Sequence, residues 1–237
     1  MKQAKMVKIQ IWRSGLGDVP AGFKEYEVPW EPKETVLGAL MYIYDHLDDS
    51  LAFRYGCRYK DCGLCAARVS GRDRLTCTTH LQDGDRVEPL RNLPLIRDLV
   101  VDRRPVAAAI RAVGLYPQPS GDGGITGSQE HYTRLAWCVD CLACHSMCPH
   151  VRYPLADPQE GGFPGPYLFV KLAQAQAHPA NREDRLPDAA RLGVERCLSC
   201  RDCGCPYGVN LQRDVFRFLA RGKSWENEAR EPAGSNR

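Results

Sequence analysis

Cysteine is the residue type whose spacing in this sequence carries the clearest chemical information. Cys138, Cys141, Cys144 and Cys148 are followed by Pro149, which gives the pattern C-x2-C-x2-C-x3-C-P. In a run of this kind three closely spaced thiolates bind one cubane iron–sulfur cluster, and the fourth binds a neighbouring cluster. The proline ends the local helix and sets the direction in which the chain leaves. The run therefore predicts a second cysteine group that completes two clusters.

The carboxy-terminal part of the chain contains this second group: Cys197, Cys200, Cys203, Cys205 and Pro206. A cysteine directly before proline is the ligand that crosses to the other cluster. One 4Fe–4S cluster, here termed the middle cluster, is thus expected to be bound by Cys138, Cys141, Cys144 and Cys205. The other, the distal cluster, is expected to be bound by Cys148, Cys197 and Cys203. Cys200 lies at ligand spacing, so it is either the fourth ligand of a 4Fe–4S cluster or a free thiol beside a 3Fe–4S cluster.

A third group of cysteines precedes these two: Cys57, Cys62, Cys65 and Cys77. The spacing C-x4-C-x2-C…C is typical of plant-type 2Fe–2S ferredoxins. Gly56 and Gly63 flank the loop and let its backbone wrap closely, with amides turned toward the sulfurs. Four cysteines also bind zinc, but zinc sites usually pair two C-x2-C knuckles, which this spacing does not. We therefore expect a 2Fe–2S cluster here. His145 and His150 are interpreted as surface groups, or as groups near a cluster that do not bind metal.

Composition limits the function classes. The twelve cysteines are about 5% of the chain, below the density of a disulfide scaffold. No basic and apolar leader opens the sequence, so we expect a reducing compartment in which clustered cysteines bind metal. No apolar run reaches the length of a membrane span. A net charge of +3 with scattered Lys and Arg does not indicate nucleic-acid binding.

The first half of the chain has the hydrophobic periodicity of a small α+β domain. Residues 7–12 and 24–30 alternate and predict two strands, and residues 34–47 predict a helix with one buried face. Short strands are predicted after the first cysteine loop, at residues 66–69, 75–77 and 86–90. This order matches the β-grasp of plant-type ferredoxins. The domain is assigned to residues 1–105.

The second half is predicted to be helical. Residues 95–101 and 105–113 are predicted as helices between the halves, and residues 116–128 as a loop. Further helices are predicted at residues 129–137, 140–147, 166–178, 184–191 and 210–221. Residues 106–223 are assigned to an all-α domain of the bacterial two-cluster ferredoxin type, and residues 224–237 to a flexible tail.

The complete layout resembles the iron–sulfur subunit of the succinate dehydrogenase/fumarate reductase (complex II) family. The resemblance covers about residues 7–221. It rests on the loop RYGCRYKDCGLC, the segments PLIRDLVVD and GPYLFVKLAQAQAHP, the run CVDCLACHSMCP and the closing C…C…CP group. It implies an electron-transfer subunit, without a catalytic residue of its own, of a respiratory and tricarboxylic acid cycle complex.

The resemblance also implies partners. Such a subunit links a flavoprotein that carries FAD, and oxidises succinate or reduces fumarate, to a membrane anchor that reacts with quinone. The expected location is the cytoplasmic face of the cell membrane, as a peripheral subunit held by that anchor. The 2Fe–2S cluster is expected to face the flavoprotein.

Three positions depart from the pattern of many relatives. Cys200 replaces an apolar residue, Leu198 replaces a histidine that contributes to quinone binding, and Tyr153 replaces a tryptophan. Tyr153 can still donate a hydrogen bond to a quinone carbonyl, whereas Leu198 cannot. A fourth thiolate adds negative charge and lowers a cluster's potential. Menaquinone or a thiol-linked anchor is therefore favoured over a high-potential quinone.

Two alternatives stay open at the level of sequence. The chain could serve a different flavoprotein dehydrogenase or a thiol-linked reductase, with the same clusters. It could instead be a zinc-stabilised interaction module, a different class of protein. No nucleotide-binding glycine fingerprint supports an active site in the chain itself, because GDGG at residues 121–124 does not lie between a predicted strand and helix.

Overall fold

A computed structural model describes residues 5–14, 21–115, 129–181 and 183–221. The chain divides into two compact units. The first comprises Met1–Pro105 and Val139–Pro154, and the second Val106–Cys138 and Leu155–Arg237. The predicted loop at residues 116–128 and the predicted tail at residues 224–237 lie outside the described residues.

A mixed five-stranded sheet forms the centre of the first unit. Its strands are β1 (Lys5–Arg13), β2 (Gly22–Trp30), β3 (Ala66–Val69), β4 (Arg72–Leu75) and β5 (Asp85–Glu88). The strand order is β2-β1-β5-β3-β4. Strand β1 pairs antiparallel with β2 and parallel with β5. The predicted combination of a mixed sheet with helices is therefore confirmed, although β4 begins and ends earlier than the strand predicted at residues 75–77.

Alternation in β1 explains why one side of the sheet is buried. Val7, Ile9 and Ile11 are buried, because successive side chains of a strand point to opposite faces. Helix α1 (Val36–Tyr42) contributes Leu40 to the same core and continues as a π-helical turn, Ile43–Leu47. The helix predicted over residues 34–47 is thus present as two consecutive helical segments.

The helix predicted over residues 95–101 is wrong. These residues form a hairpin of β6 (Leu95–Arg97) and β7 (Val100–Val101). The buried Asp98 carboxylate accepts hydrogen bonds from the backbone amides of Ser14 and Ala52, both at 2.8 Å. Asp98 also has a positive φ of 47°, which a helix does not allow. The apolar residues of this segment do not form one buried helix face, since Leu95 and Ile96 are exposed whereas Leu99 and Val101 are buried.

The remaining described segments are helical. They are α2 (Arg104–Ala112), α3 (Gln129–Ala136), α4 (Ala143–Met147), α5 (Pro166–Ala177), α6 (Leu186–Arg191), α7 (Arg196–Ser199), a π-helical segment Leu211–Arg217 and α8 (Phe218–Arg221). Helix α5 is buried over most of its surface, and the ring of Phe169 meets that of Phe216 edge-on at 6.4 Å. Helix α4 begins later than predicted because Asp140 and Leu142 have left-handed backbones. No helix in the described part of the chain is both long and apolar enough to cross a bilayer.

Residues 139–154 lie in a different part of the fold from the one expected. The domain predicted at residues 106–223 contains them, whereas the structure packs Val139–Pro154 with the sheet-containing first unit. The physical reason is a set of polar contacts. Ser146 donates a hydrogen bond to the buried Asp73 carboxylate (3.1 Å) and accepts one from the Arg91 amide (2.7 Å).

An ionic network joins the first two strands to the segment after α1. The Asp48 carboxylate accepts hydrogen bonds from Arg13 (2.6 Å), Lys24 (2.7 Å) and Tyr26 (2.8 Å). Burial of this carboxyl opposes its ionisation, but these donors and Ser50 outweigh that effect and hold the pKa of Asp48 well below its usual range. Because the folded-state pKa is depressed, the stabilisation is present above the unfolded pKa of about 4 and is lost as the pH falls below it.

Asp48→Asn is therefore expected to lower the free energy of unfolding at pH 7 by about 1–3 kcal/mol. The difference from the native protein should shrink as the pH falls below about 4, because the unfolded carboxyl then binds a proton that the native carboxylate does not. Urea denaturation at several pH values measures this. The matched control is Glu25→Gln, which removes the exposed pair of Lys8 and Glu25 on the same hairpin and should change stability by less than about 1 kcal/mol. A difference that does not vary with pH would contradict the prediction.

Candidate metal centres

The first cysteine loop lies between the π-helical turn and β3, and its backbone bends sharply. Arg58, Lys60 and Gly63 all have positive φ angles, of 65°, 86° and 66°. This conformation turns successive amides to one side of the loop. The Cys57 amide donates a hydrogen bond to the Cys62 sulfur at 3.4 Å, and the Cys62 amide donates one to the Cys57 sulfur at 3.3 Å.

The electrostatic environment shows that the loop gathers its thiols. Burial opposes ionisation of Cys57, but hydrogen bonds from the backbone of Tyr59 and from Cys62 outweigh it and lower the pKa of Cys57. Cys77 enters from the turn after β4, and burial, together with contact with Cys65, raises the pKa of Cys77 to about 11. The structure therefore brings together the four cysteines that the spacing grouped, and it directs amides at the sulfurs as expected.

The residues of this loop fit a 2Fe–2S cluster. The donor set is thiols surrounded by backbone N–H groups, which is the environment that thiolate-bound clusters use. Glycine at the loop's start permits a close approach, since a Cβ on Gly56 would lie 3.2 Å from the Cys62 sulfur. A side chain there would have to displace the thiol by a few tenths of an ångström.

The middle cysteine run is divided between the two units. Cys138 belongs to the second unit, and its amide donates a hydrogen bond to the Leu135 carbonyl at the end of α3 (3.1 Å). Cys141, Cys144 and Cys148 belong to the first unit and are buried. Cys144 lies in the first turn of α4, and Cys148 directly follows its last residue.

Asn92 holds the carboxyl end of α4. Its side-chain amide donates hydrogen bonds to the carbonyls of His145 (3.3 Å), Ser146 (3.2 Å) and Cys148 (3.0 Å). These are among the carbonyls that a helix end leaves without internal partners. Asn92 therefore fixes the backbone that carries Cys148.

His145 is buried, which excludes the first of its two interpretations, a surface group, and leaves the second, a group near a cluster that does not bind metal. Its exposed fraction is 0%, and burial lowers its pKa to about 4, so the ring is neutral at neutral pH. Neither ring nitrogen makes a hydrogen bond within the described residues, although the backbone of Asn92 lies near the ring. His150, in contrast, is exposed as expected.

The first cysteine loop and the middle run are in direct contact within the first unit. A Cβ on Gly63 would lie 2.1 Å from the Val139 carbonyl oxygen and 3.0 Å from the Cys141 amide nitrogen. Cys65 and Cys141 line the same small cavity. Arg103 adds a hydrogen bond from its guanidinium to the Asp140 carbonyl. The absence of a side chain at Gly63 is what allows this approach.

The last cysteine group lies in the second unit. Cys197 is buried in α7, while Cys200, Cys203 and Cys205 are half-buried. The Cys200 thiol lies 3.4 Å from an Asp202 carboxylate oxygen, to which it donates a hydrogen bond.

Tyr153, the candidate for quinone contact, is 52% exposed in the first unit. Across the described ranges, no group of three or more His, Cys, Asp or Glu side chains is arranged to hold a single metal ion.

Sequence reasoning missed Asn92 and Asp73, together with Gln212, whose side chain contacts the last cysteine group. Each acts by hydrogen bonds to groups that are 12 or more residues away in the chain. No spacing in the sequence marks them, and only the turn-forming tendency of Asn gave a weak local signal.

Comparisons with known proteins agree with this geometry. The family model described as the 2Fe-2S iron-sulfur cluster binding domain matches residues 8–108, which include Cys57, Cys62, Cys65 and Cys77. The fumarate reductase iron-sulfur subunit of Mycobacterium tuberculosis is 34% identical over 232 residues, covering 90% of each chain.

Longer relatives are also similar. One subunit of the fumarate reductase (CoM/CoB) of Methanothermobacter marburgensis is 30% identical over 218 residues, which are 90% of this chain and 43% of that protein. An iron-sulfur protein of Methanocaldococcus jannaschii is 32% identical, over 45% of its length. The chain thus spans less than half the length of these relatives.

A solved structure shares the fold. A chain of the Mycobacterium smegmatis Sdh1 complex in the apo form superimposes with a TM-score of 0.78 at 24% identity, covering 98% of this chain and 100% of that chain. The match over nearly the full length of the mycobacterial relative confirms the resemblance drawn from the cysteine groups. The chain belongs to the family of succinate dehydrogenase/fumarate reductase iron–sulfur subunits.

Proposed function

We propose that the protein relays single electrons between a flavoprotein subunit that interconverts succinate and fumarate and a membrane-anchor subunit that reacts with quinone. The observation that carries this proposal is the contact between the first cysteine loop and the segment of Cys141, made at Gly63. Two segments with the ligand spacing of clusters touch within one compact unit. Such proximity suits transfer between redox centres, and no substrate-binding group is needed.

The proposed ligands follow the three cysteine groups. The 2Fe–2S ligands are Cys57, Cys62, Cys65 and Cys77. The middle 4Fe–4S ligands are Cys138, Cys141, Cys144 and Cys205. The distal ligands are Cys148, Cys197, Cys203 and Cys200, which makes that cluster 4Fe–4S.

The chain's own residues hold and insulate these groups. Bound iron–sulfur clusters supply one-electron chemistry, with potentials set by hydrogen bonds, charge and solvent exposure. The amides of Tyr59 and Cys62 stabilise negative charge on the Cys57 sulfur. Asn92 fixes the backbone of Cys148. The subunit itself contributes no catalytic residue, because the substrate chemistry belongs to the flavoprotein.

The proposed location follows from the proposed partners. The subunit is peripheral, on the cytoplasmic face of the membrane, held by its anchor subunit. A four-iron distal cluster has a lower potential than a three-iron one, which favours menaquinone, with Tyr153 as the candidate donor to its carbonyl.

A second candidate concerns the acceptor. The similarity to a fumarate reductase whose name carries CoM/CoB supports a thiol-linked reductase partner in place of a quinone-reactive anchor. Leu198, which offers no hydrogen bond to a quinone, is consistent with either acceptor.

Metal analysis of the purified complex tests the function. About ten irons per subunit with acid-labile sulfide are expected, together with separate paramagnetic signals from 2Fe–2S and cubane clusters. Mass spectrometry of the co-purifying chains should find an FAD-binding subunit. Zinc without sulfide would refute the relay and favour an interaction module, whereas a full complement of iron with a different flavoprotein would change only the partner.

A further inference from the structure

Helix α7 carries the first cysteine of the last group and is only one turn long, Arg196–Ser199. The carbonyl groups at a helix end have no partners within the helix. Here two side chains supply them. Gln212 donates from Nε2 to the carbonyls of Cys197 (2.9 Å) and Cys200 (2.6 Å), while Arg201 donates to those of Leu198 (2.8 Å) and Cys200 (2.9 Å).

The Gln212 side chain donates hydrogen bonds but accepts none from the described residues. A primary amide has two N–H groups and one oxygen acceptor, and both donors are directed at carbonyls of cysteines. The oxygen Oε1 is buried and accepts no hydrogen bond from any described residue. Leaving a buried acceptor unpaired is unfavourable. The role of the amide at this position is therefore to donate hydrogen bonds from its nitrogen to the carbonyls of Cys197 and Cys200.

The two acceptors lie at the two ends of one C-x2-C turn. Cys197 is within the helix, and Cys200 follows it with an extended backbone of φ −76° and ψ 142°. One nitrogen atom that bonds both carbonyls fixes the separation and the relative orientation of these two residues. Rotation of the Cys200 peptide, which would redirect its thiol, breaks the shorter of the two bonds.

We propose that Gln212 is a positioning residue that makes Cys200 a ligand of the distal cluster. By bonding the carbonyls at both ends of the Cys197–Cys200 turn, it holds the backbone of the fourth cysteine at ligand spacing from the first. This inference rests on the proposed function, in which these cysteines bind an iron–sulfur cluster.

The test is Gln212→Met in the complete complex, which keeps the length of the side chain and removes both donors. The expected result is loss of about one iron per subunit and a three-iron paramagnetic signal in the oxidised protein. The 2Fe–2S and middle-cluster signals should be unchanged. Cys200→Ala should give the same spectrum, and combining it with Gln212→Met should add nothing.

The matched control is Gln176→Met. Gln176 is a half-buried amide of the same unit whose oxygen accepts a hydrogen bond from the Arg185 amide at 2.6 Å, with no contact to a cysteine carbonyl. Its variant should keep the four-iron signal. Where Gln212→Met does not accumulate, Gln212→Leu gives the same test, because it also removes both donors and is a more compact apolar side chain.

The outcomes separate this inference from the relay itself. Two intact cubanes in both Gln212 variants would overturn the role of Gln212 and leave the relay standing. A three-iron signal in the native protein would also overturn it, since Cys200 would then not bind the cluster. The same signal in Gln176→Met would overturn it too, because loss of iron would then follow from any such substitution in this unit. Absence of iron clusters from the native complex would instead refute the proposed function.

Discussion

Replacing Gly63 by alanine is expected to separate the first cysteine loop from the middle cysteine run. The new Cβ would lie 2.1 Å from the Val139 carbonyl oxygen and 3.0 Å from the Cys141 amide nitrogen. Both neighbouring atoms belong to the backbone, so no change of side-chain rotamer can relieve the clash. The left-handed backbone adds strain for any residue with a Cβ. Together these effects should cost about 2–5 kcal/mol of stability.

Gly63→Ala should also slow electron transfer between the two cysteine segments. Moving Val139 and Cys141 away from the loop lengthens the path between Cys65 and Cys141. In the proposed complex, stopped-flow reduction through the flavoprotein should therefore show the 2Fe–2S signal reduced at the native rate and the signals of the proposed cubanes reduced much more slowly. Loss of the middle cluster altogether is the extreme form of the same result.

Gly84→Ala is the matched control. Gly84 has a similar positive φ of 81°, but nothing lies within 4 Å of the Cβ that alanine would add. It should cost about 1–2 kcal/mol from backbone strain alone and leave the rate of cubane reduction unchanged. Equal rates in Gly63→Ala and the native complex would show that the contact at Gly63 does not govern transfer.

Local patterns explain which parts of this structure could be predicted. The strands β1 and β2 follow from alternation, because burial of one sheet face imposes a period of two residues on the sequence. The grouping of Cys57 with Cys62 and Cys65 follows from loop spacing. A short loop restricts where its thiols can point, whatever the rest of the chain does.

Long-range polar contacts explain what could not be predicted. Residues 139–154 carry a cysteine run that indicates a helical two-cluster domain, yet Ser146 bonds Asp73 and Asn92 caps α4. Those bonds join segments more than 50 residues apart, and no periodicity records them. The hairpin at residues 95–101 was missed for a related reason, since the amides that Asp98 binds come from Ser14 and Ala52.

Burial of His145 illustrates a different limit. The sequence left two interpretations open for this residue, a surface group or a group near a cluster, and the ring has no exposed surface. Its burial depends on the packing of α4 as a whole. A single residue's polarity did not carry that information.

Replacing Cys77 by alanine is expected to remove the 2Fe–2S cluster while the cubane clusters stay. Among the proposed ligands of this cluster, Cys77 alone lies outside the first loop, in the turn after β4, where it is buried against Cys65. Removing it leaves three thiolates for a cluster that uses four, with no other cysteine of the first loop to replace it. About two irons per subunit should be lost.

The measurement is spectroscopy of the complex reduced in two ways. Chemical reductant should still reduce the proposed cubanes of Cys77→Ala, whereas electrons from the substrate of the proposed flavoprotein should not reach them, because the cluster proposed as their entry point is missing. Thr79→Ala is the control for damage to the turn itself, since it removes only a hydrogen bond to the Leu75 carbonyl (2.9 Å) and should keep the cluster. A native 2Fe–2S signal in Cys77→Ala would exclude Cys77 as a ligand. Substrate-driven reduction of the cubanes without that signal would mean that electrons enter the chain elsewhere. The first outcome contradicts the ligand assignment and the second contradicts the point of electron entry, so the experiment tests the two separately.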